Sequence, residues 1–111
     1  MVTLEECRQK IRQIITEYAA IPYAHGEVAR NPVFDSESDR YLLMLVGRDG
    51  THYVHGCLIH VDIIDNKLWI YRDGTEYGIA NELVDAGIPK QQIVLGFRSP
   101  EVRKHTEFAL K

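Results

Sequence analysis

The chain has 111 residues, with 13 Lys and Arg against 16 Asp and Glu, a formal net charge of −3. That length suits one domain, and the acidic balance argues against tight, sequence-independent DNA binding, which needs a basic footprint. No apolar run approaches the roughly 20 residues of a membrane span, and the polar, helical N-terminus is unlike a signal peptide, so a cytoplasmic protein is expected.

Two cysteines, Cys7 and Cys57, make no disulfide framework and lack metal-ligand spacing. Both fall in apolar patterns and read as core thiols of a reducing compartment. No metal and no cofactor is expected.

Thr3 to Ala20 reads as a helix. Leu4, Cys7, Ile11, Ile14, Ile15 and Tyr18 recur at three- and four-residue steps. Thr3 and Glu6 form a capping box, with Val2 and Cys7 placed as a hydrophobic staple. Pro22 fixes the stop, because the residue before a proline is pushed out of the α region. The polar face mixes both signs of charge, which disfavours a membrane-surface helix.

Pro22-Tyr23, His25-Gly26 and Asn31-Pro32 punctuate the next segment. Glu27–Phe34 reads as an edge strand, where Pro32 is tolerated. Asp35-Ser36-Glu37-Ser38-Asp39 reads as a solvated turn, since it lacks the ligand set of a calcium loop.

Tyr41–Arg48, Thr51–Ile64 and Lys67–Arg72 follow as three strands. Arg48-Asp49-Gly50 and Asp65-Asn66 supply turn chemistry, so neighbours must pair antiparallel. Tyr41–Arg48 is apolar on both sides, which predicts cover on both faces of the sheet, one by helices and one by added elements or a second subunit. In the long strand, alternation groups Tyr53, His55, Cys57, Ile59, Val61 and Ile63 on one face and His60 with Asp62 on the other. Gly56 suggests a bulge or a close backbone approach. His60 and Asp62 offer two ligands where zinc wants three or four, so hydrogen-bonded structural roles are preferred. His55 reads as a satisfied core histidine. Trp69 and Tyr71 share a side of the third strand, opposite Arg72, and read as packed beneath a helix rather than as a base-stacking pair.

Asp73 with Glu76 reads as a second capping box opening a helix that Gly87 and Pro89 end. Ile93–Phe97 reads as a short strand. Ser99-Pro100-Glu101 opens a brief helix, and Phe108, Ala109 and Leu110 form a docking tail. The expected class is α+β: an N-terminal helix, an antiparallel β-meander and further helices packed on the sheet, one domain over 1–111.

Several blocks together resemble a known family. They are Ile21-Pro22-Tyr23-Ala24-His25-Gly26-Glu27, Arg40-Tyr41-Leu42-Leu43-Met44-Leu45-Val46-Gly47, His55-Gly56-Cys57-Leu58-Ile59-His60 and Arg72-Asp73-Gly74-Thr75-Glu76. Ile79-Ala80-Asn81-Glu82-Leu83-Val84, Gly87-Ile88-Pro89, Val94-Leu95-Gly96-Phe97 and Pro100-Glu101-Val102-Arg103 complete the set. The chain resembles the XisI family, the fdxN element excision controlling factors of cyanobacteria. The resemblance implies an accessory, non-enzymatic role beside a site-specific recombinase that removes a DNA element during heterocyst differentiation. It further implies a nuclease-like XisH-type partner that carries the DNA contact, and it transfers no catalytic residue. Arg48, where an aromatic is expected, and the polar end Leu110-Lys111 depart from the family pattern.

Three functional readings follow. The preferred one is a partner-binding protein, itself a homo-oligomer, with Arg48, His60, Asp62, Trp69 and Arg72 at the contact. The second is a small enzyme or ligand-binding domain using His55, His60, Asp62, Asp73 and Glu76, which requires those groups to converge. The third is direct DNA binding by Arg8, Arg12, Arg40 and Arg48.

Overall fold

The computed structural model describes residues 2–22 and 26–111. The Pro22-Tyr23 and His25-Gly26 signals and part of the Ile21–Glu27 block fall on residues outside that set. In chain order the elements are α1 (Leu4–Ala19), β1 (Glu27–Asp35), β2 (Arg40–Asp49), β3 (His52–Ile64), β4 (Lys67–Asp73), α2 (Ile79–Asp85), a 3-10 turn (Lys90–Gln92), β5 (Ile93–Leu95) and α3 (Pro100–Arg103). The class is α+β. The strands lie side by side in the order β1-β2-β3-β4-β5. β1 to β4 form the antiparallel meander, and β5 joins β4 in parallel. That parallel strand is an addition to the pure meander.

The stripe of α1 buries Cys7, Ile11, Ile14 and Ile15. The Thr3 hydroxyl oxygen accepts from the Glu6 N–H at 3.1 Å. Among described residues, α1 and α2 share one core with Tyr41, Leu43, Ile59, Val61, Ile63, Leu68, Ile70 and Ile93 of the sheet. Each fully buried aliphatic side chain contributes on the order of 2 kcal/mol, so this single layer of contacts carries most of the cohesion.

The turns follow from backbone chemistry. Asp65 and Asn66 both have positive φ, 50° and 67°, as a type I′ hairpin turn between right-twisted strands requires. Gly47 has φ 155°, and a Cβ there would overlap the Glu27 carbonyl oxygen and the Val28 Cα of the neighbouring strand. Only glycine lets β1 close on β2 at this point. β1 is the edge strand, as Pro32 demands, since proline cannot donate to a second neighbour.

Two expectations are corrected. The helix α2 starts at Ile79, and Asp73 is the last residue of β4. Asp73 still caps α2, but across a loop: its carboxylate accepts from the Ile79 N–H at 2.8 Å and from Thr75 N and Oγ1 at 3.0 and 2.6 Å. Glu76 is an exposed loop residue with no place in a capping box. At the other end, Gly87 N–H donates to the Val84 carbonyl and Ile88 N–H to the Leu83 carbonyl, both at 3.0 Å, with Gly87 at φ 101°. This is a Schellman stop, and buried Ile88 and Leu83 close it.

Gly56 pairs regularly with Leu45, and a side chain there would meet open space. The bulge lies at Leu58 instead: Leu43 pairs with Ile59 and Met44 with Cys57, leaving Leu58 as the extra residue. A second bulge falls at Tyr71, because His60 pairs with Arg72 while Val61 pairs with Ile70. Each extra residue reverses the alternation along its strand.

Cover is expected on both faces, the second from added elements or a second subunit. The helices α1 and α2 cover one face of the sheet. On the other, Leu42, Met44 and Val46 remain half-buried. The tail does dock, at one edge: Ala109 is buried, its N–H donates to the Ile93 carbonyl at 2.9 Å, and it bridges Val94.

Candidate functional site

The uncovered face is assembled from the register. Leu42, Met44, Val46 and Arg48 of β2 point to it. They pair with His60, Cys57, His55 and Tyr53 of β3, and Asp62 pairs with Arg40 and with Trp69 of β4. The Leu58 bulge is what brings Tyr53, His55 and Cys57 to the same side as His60 and Asp62. The Tyr71 bulge likewise turns Arg72 onto this side, opposite His60. Val33 of β1 pairs with Leu42 and extends the apolar strip at 44% exposure.

Asp62 anchors the centre at 6% exposure. His60 Nε2 lies 2.8 Å from Asp62 Oδ1, and Arg40 Nε donates to both Asp62 oxygens at 3.2 and 3.3 Å. A buried carboxylate held by two partners in this way is a satisfied polar knot. Around it runs a row of rings. The His60 and Tyr71 centroids are 5.2 Å apart and those of Tyr71 and Trp69 are 6.1 Å apart. Arg103 of α3 lies over Trp69 at 5.3 Å, and Arg48 lies over Tyr53 at 5.6 Å. Arg72 Nε donates to the Cys57 carbonyl at 3.1 Å. The Cys57 thiol donates to the Ile59 carbonyl at 3.0 Å, and burial pushes its pKa up, so it stays a neutral thiol.

Arg48, His60, Asp62, Trp69 and Arg72 thus occupy one face. The enzyme group does not converge. His60 and Asp62 touch, but His55 stands four ladder positions along β2 from His60, about 13 Å at the usual rise. Asp73 is committed to the start of α2, and Glu76 lies in its loop. His55 is exposed and stacked on Tyr53 at 6.4 Å, which corrects its reading as a core histidine. Cys57 is half-buried on the open face rather than in the core, whereas Cys7 is fully buried. Tyr71 is 39% exposed rather than packed away, while Trp69 is half-buried beneath Arg103 of α3. Among described residues no group of three His, Cys, Asp or Glu is placed to hold a metal ion, and no helix is long and apolar enough to cross a membrane.

The four arginines of the DNA reading are divided between the faces. Arg8 donates to Asp39 through Nε at 2.8 Å and Nη2 at 3.0 Å. Arg12 reaches Glu5 at 3.4 Å on α1. Arg40 and Arg48 lie on the opposite side of the sheet, so the four form no common patch.

Alternation groups Tyr71 with Trp69 but sets Arg72 on the other side, and it gives no sign that Arg103 of α3 joins this face. The run of apolar residues on both sides of β2 was the one available signal that a second face mattered.

This geometry defines an α+β domain whose sheet is covered by helices on one side and presents an aromatic and cationic surface on the other. The family model described as "XisI: XisI protein" matches residues 1–110, and the chain belongs to the XisI family. The chain is similar to the crystal structure of a XisI-like protein from Anabaena variabilis. Identity is 32% with a TM-score of 0.87, over 98% of this chain and 100% of that one. It is also similar to the crystal structure of the fdxN element excision controlling factor XisI from the same organism. There identity is 34% with a TM-score of 0.83, over 97% of this chain and 98% of that one. No curated protein matches the chain significantly.

Proposed function

We propose that this chain is a non-enzymatic controlling factor for site-specific excision of an fdxN-type DNA element, acting by binding a nuclease-like XisH-type partner. The similarity to a structure of an fdxN element excision controlling factor supports the excision role. The single observation behind the binding role is the half-buried strip of Leu42, Met44 and Val46 beside Arg48, His60, Asp62, Trp69 and Arg72. An apolar strip rimmed by polar residues is the mark of an interaction surface. In this reading the partner carries the DNA contact, the chain is a cytoplasmic homo-oligomer, and its link to the recombinase is indirect.

Size exclusion with light scattering, on the chain alone and co-expressed with its nuclease-like neighbour, tests this. A stoichiometric complex that Arg72→Glu disrupts is the expected result. A chain that elutes apart from the companion, or a complex indifferent to Arg72→Glu, overturns the surface or the partner.

A further inference from the structure

The open face treats its arginines unusually. Among described residues, Arg40 and Arg72 spend only Nε, on Asp62 and on the Cys57 carbonyl. Arg48 and Arg103 rest on the Tyr53 and Trp69 rings, and among described residues neither forms an ion pair and the buried Nε of Arg103 has no hydrogen-bond partner. Among described residues the terminal nitrogens of all four therefore remain uncommitted, in a geometry fixed by the Asp62 carboxylate, the Cys57 carbonyl and two rings.

The carboxylates on this side do not occupy them. Asp62 is held by His60 and by Arg40 Nε. Asp35, opposite Arg40, is used by its own turn through Glu37 N, Ser38 N and Ser38 Oγ. Glu27, opposite Arg48, forms no ion pair among described residues. A guanidinium fork with free terminal nitrogens matches a carboxylate or a phosphate bidentately. The neighbouring Leu42, Met44, Val46 and Val33 decide between them, because a nucleic acid backbone offers no apolar surface to cover them.

We propose that this face receives an apolar segment of a protein partner that carries carboxylates. Leu42, Met44 and Val46 take its apolar side chains, and Arg40, Arg48, Arg72 and Arg103 pair its acids. This rests on the reading of the open face as the partner surface and names the chemistry that partner must bring.

The test needs no companion protein. The 15N-labelled full chain is titrated, with amide shifts as readout, against a short glutamate peptide with leucine at every third position. Its glutamine counterpart and a short oligodeoxythymidylate serve as comparators. The expected result is shifts confined to β2, β3 and β4 on the open-face residues. Binding of the glutamine peptide should be roughly fivefold weaker, and Arg72→Gln should weaken the acidic peptide roughly threefold with the spectrum otherwise intact. Equal binding of the two peptides, tighter binding of the oligonucleotide, shifts centred on α1, or self-association through the same amides each overturns it. Loss of companion binding with the peptide result intact would instead overturn only the identity of the partner proposed above.

Discussion

The two faces of the sheet use the same residue type in opposite ways. On the helix-covered side, Arg8 grips Asp39 with two bonds, and the Tyr41 hydroxyl donates to Asp39 Oδ1 at 2.9 Å. Asp39 sits at φ 52°, and its carbonyl accepts from Ile63 N–H at 2.9 Å. The cluster closes on itself and ties α1 to the β1–β2 turn. On the open side, Arg72 and Arg103 are fixed by a backbone carbonyl and a ring, and keep their terminal nitrogens spare. A side chain in a closed network contributes to folding. One held in place without its counter-ion is available to something else.

Leu43 and Met44 are consecutive on β2 and divide between the faces, so they give the largest contrast. Leu43→Ala removes a side chain with no solvent exposure and should cost about 2–5 kcal/mol in urea denaturation. Met44→Ala should cost under about 1 kcal/mol. Equal costs would mean that something covers the second face in solution. Asp39→Asn comes next. Asparagine tolerates the left-handed backbone, so the change isolates the lost charge, at roughly 1 kcal/mol after solvent screening. The Arg8 hydrogen bond and ion pair hold the Asp39 carboxyl below its usual range, with Tyr41 assisting against partial burial. A depressed folded value means that its contribution is full above about pH 4, the unfolded value, and is lost as pH falls below it. Acid-limb denaturation curves of the wild type should therefore be steeper than those of Asp39→Asn. Thr3→Ala removes the α1 cap for about 1 kcal/mol. The smallest change is expected from Arg72→Gln, within about 0.5 kcal/mol by thermal melting. A larger loss would show that the open-face arginines are structural after all.

The helix α1 was legible because three signals agree: a 3.6-residue stripe, a Thr3 cap and a Pro22 stop. The hairpin turns were legible because Asp65-Asn66 and Gly50 announce positive φ. The start of α2 was not. Asp73 and Glu76 mimic a capping box, yet Asp73 caps from six residues away through a loop fold that local pattern cannot encode. The membership of the open face was obscured for a different reason. Around the first bulge the sequence reads Cys57-Leu58-Ile59, apolar throughout, so alternation carries no parity across it. Around the second, Ile70-Tyr71-Arg72 fits either register. Hydrophobic pattern specifies a strand's face only where the residues differ, and here they do not.

The extra residue at Leu58 gives β3 something like a reading frame. Downstream of it, Ile59, Val61 and Ile63 are in phase with the core, and upstream Tyr53, His55 and Cys57 are out of phase with them. A substitution at Leu58 leaves that phase alone. Pairing Leu58 with Met44, with every residue kept and the bulge lost, would shift it, carrying Tyr53, His55 and Cys57 to the helix side and sending Val54 and Gly56 outward, whereas deleting Leu58 would leave Cys57 opposite Met44 and each face as it is. Within this strand, one unpaired residue therefore decides which side chains meet the outside, by counting as much as by chemistry.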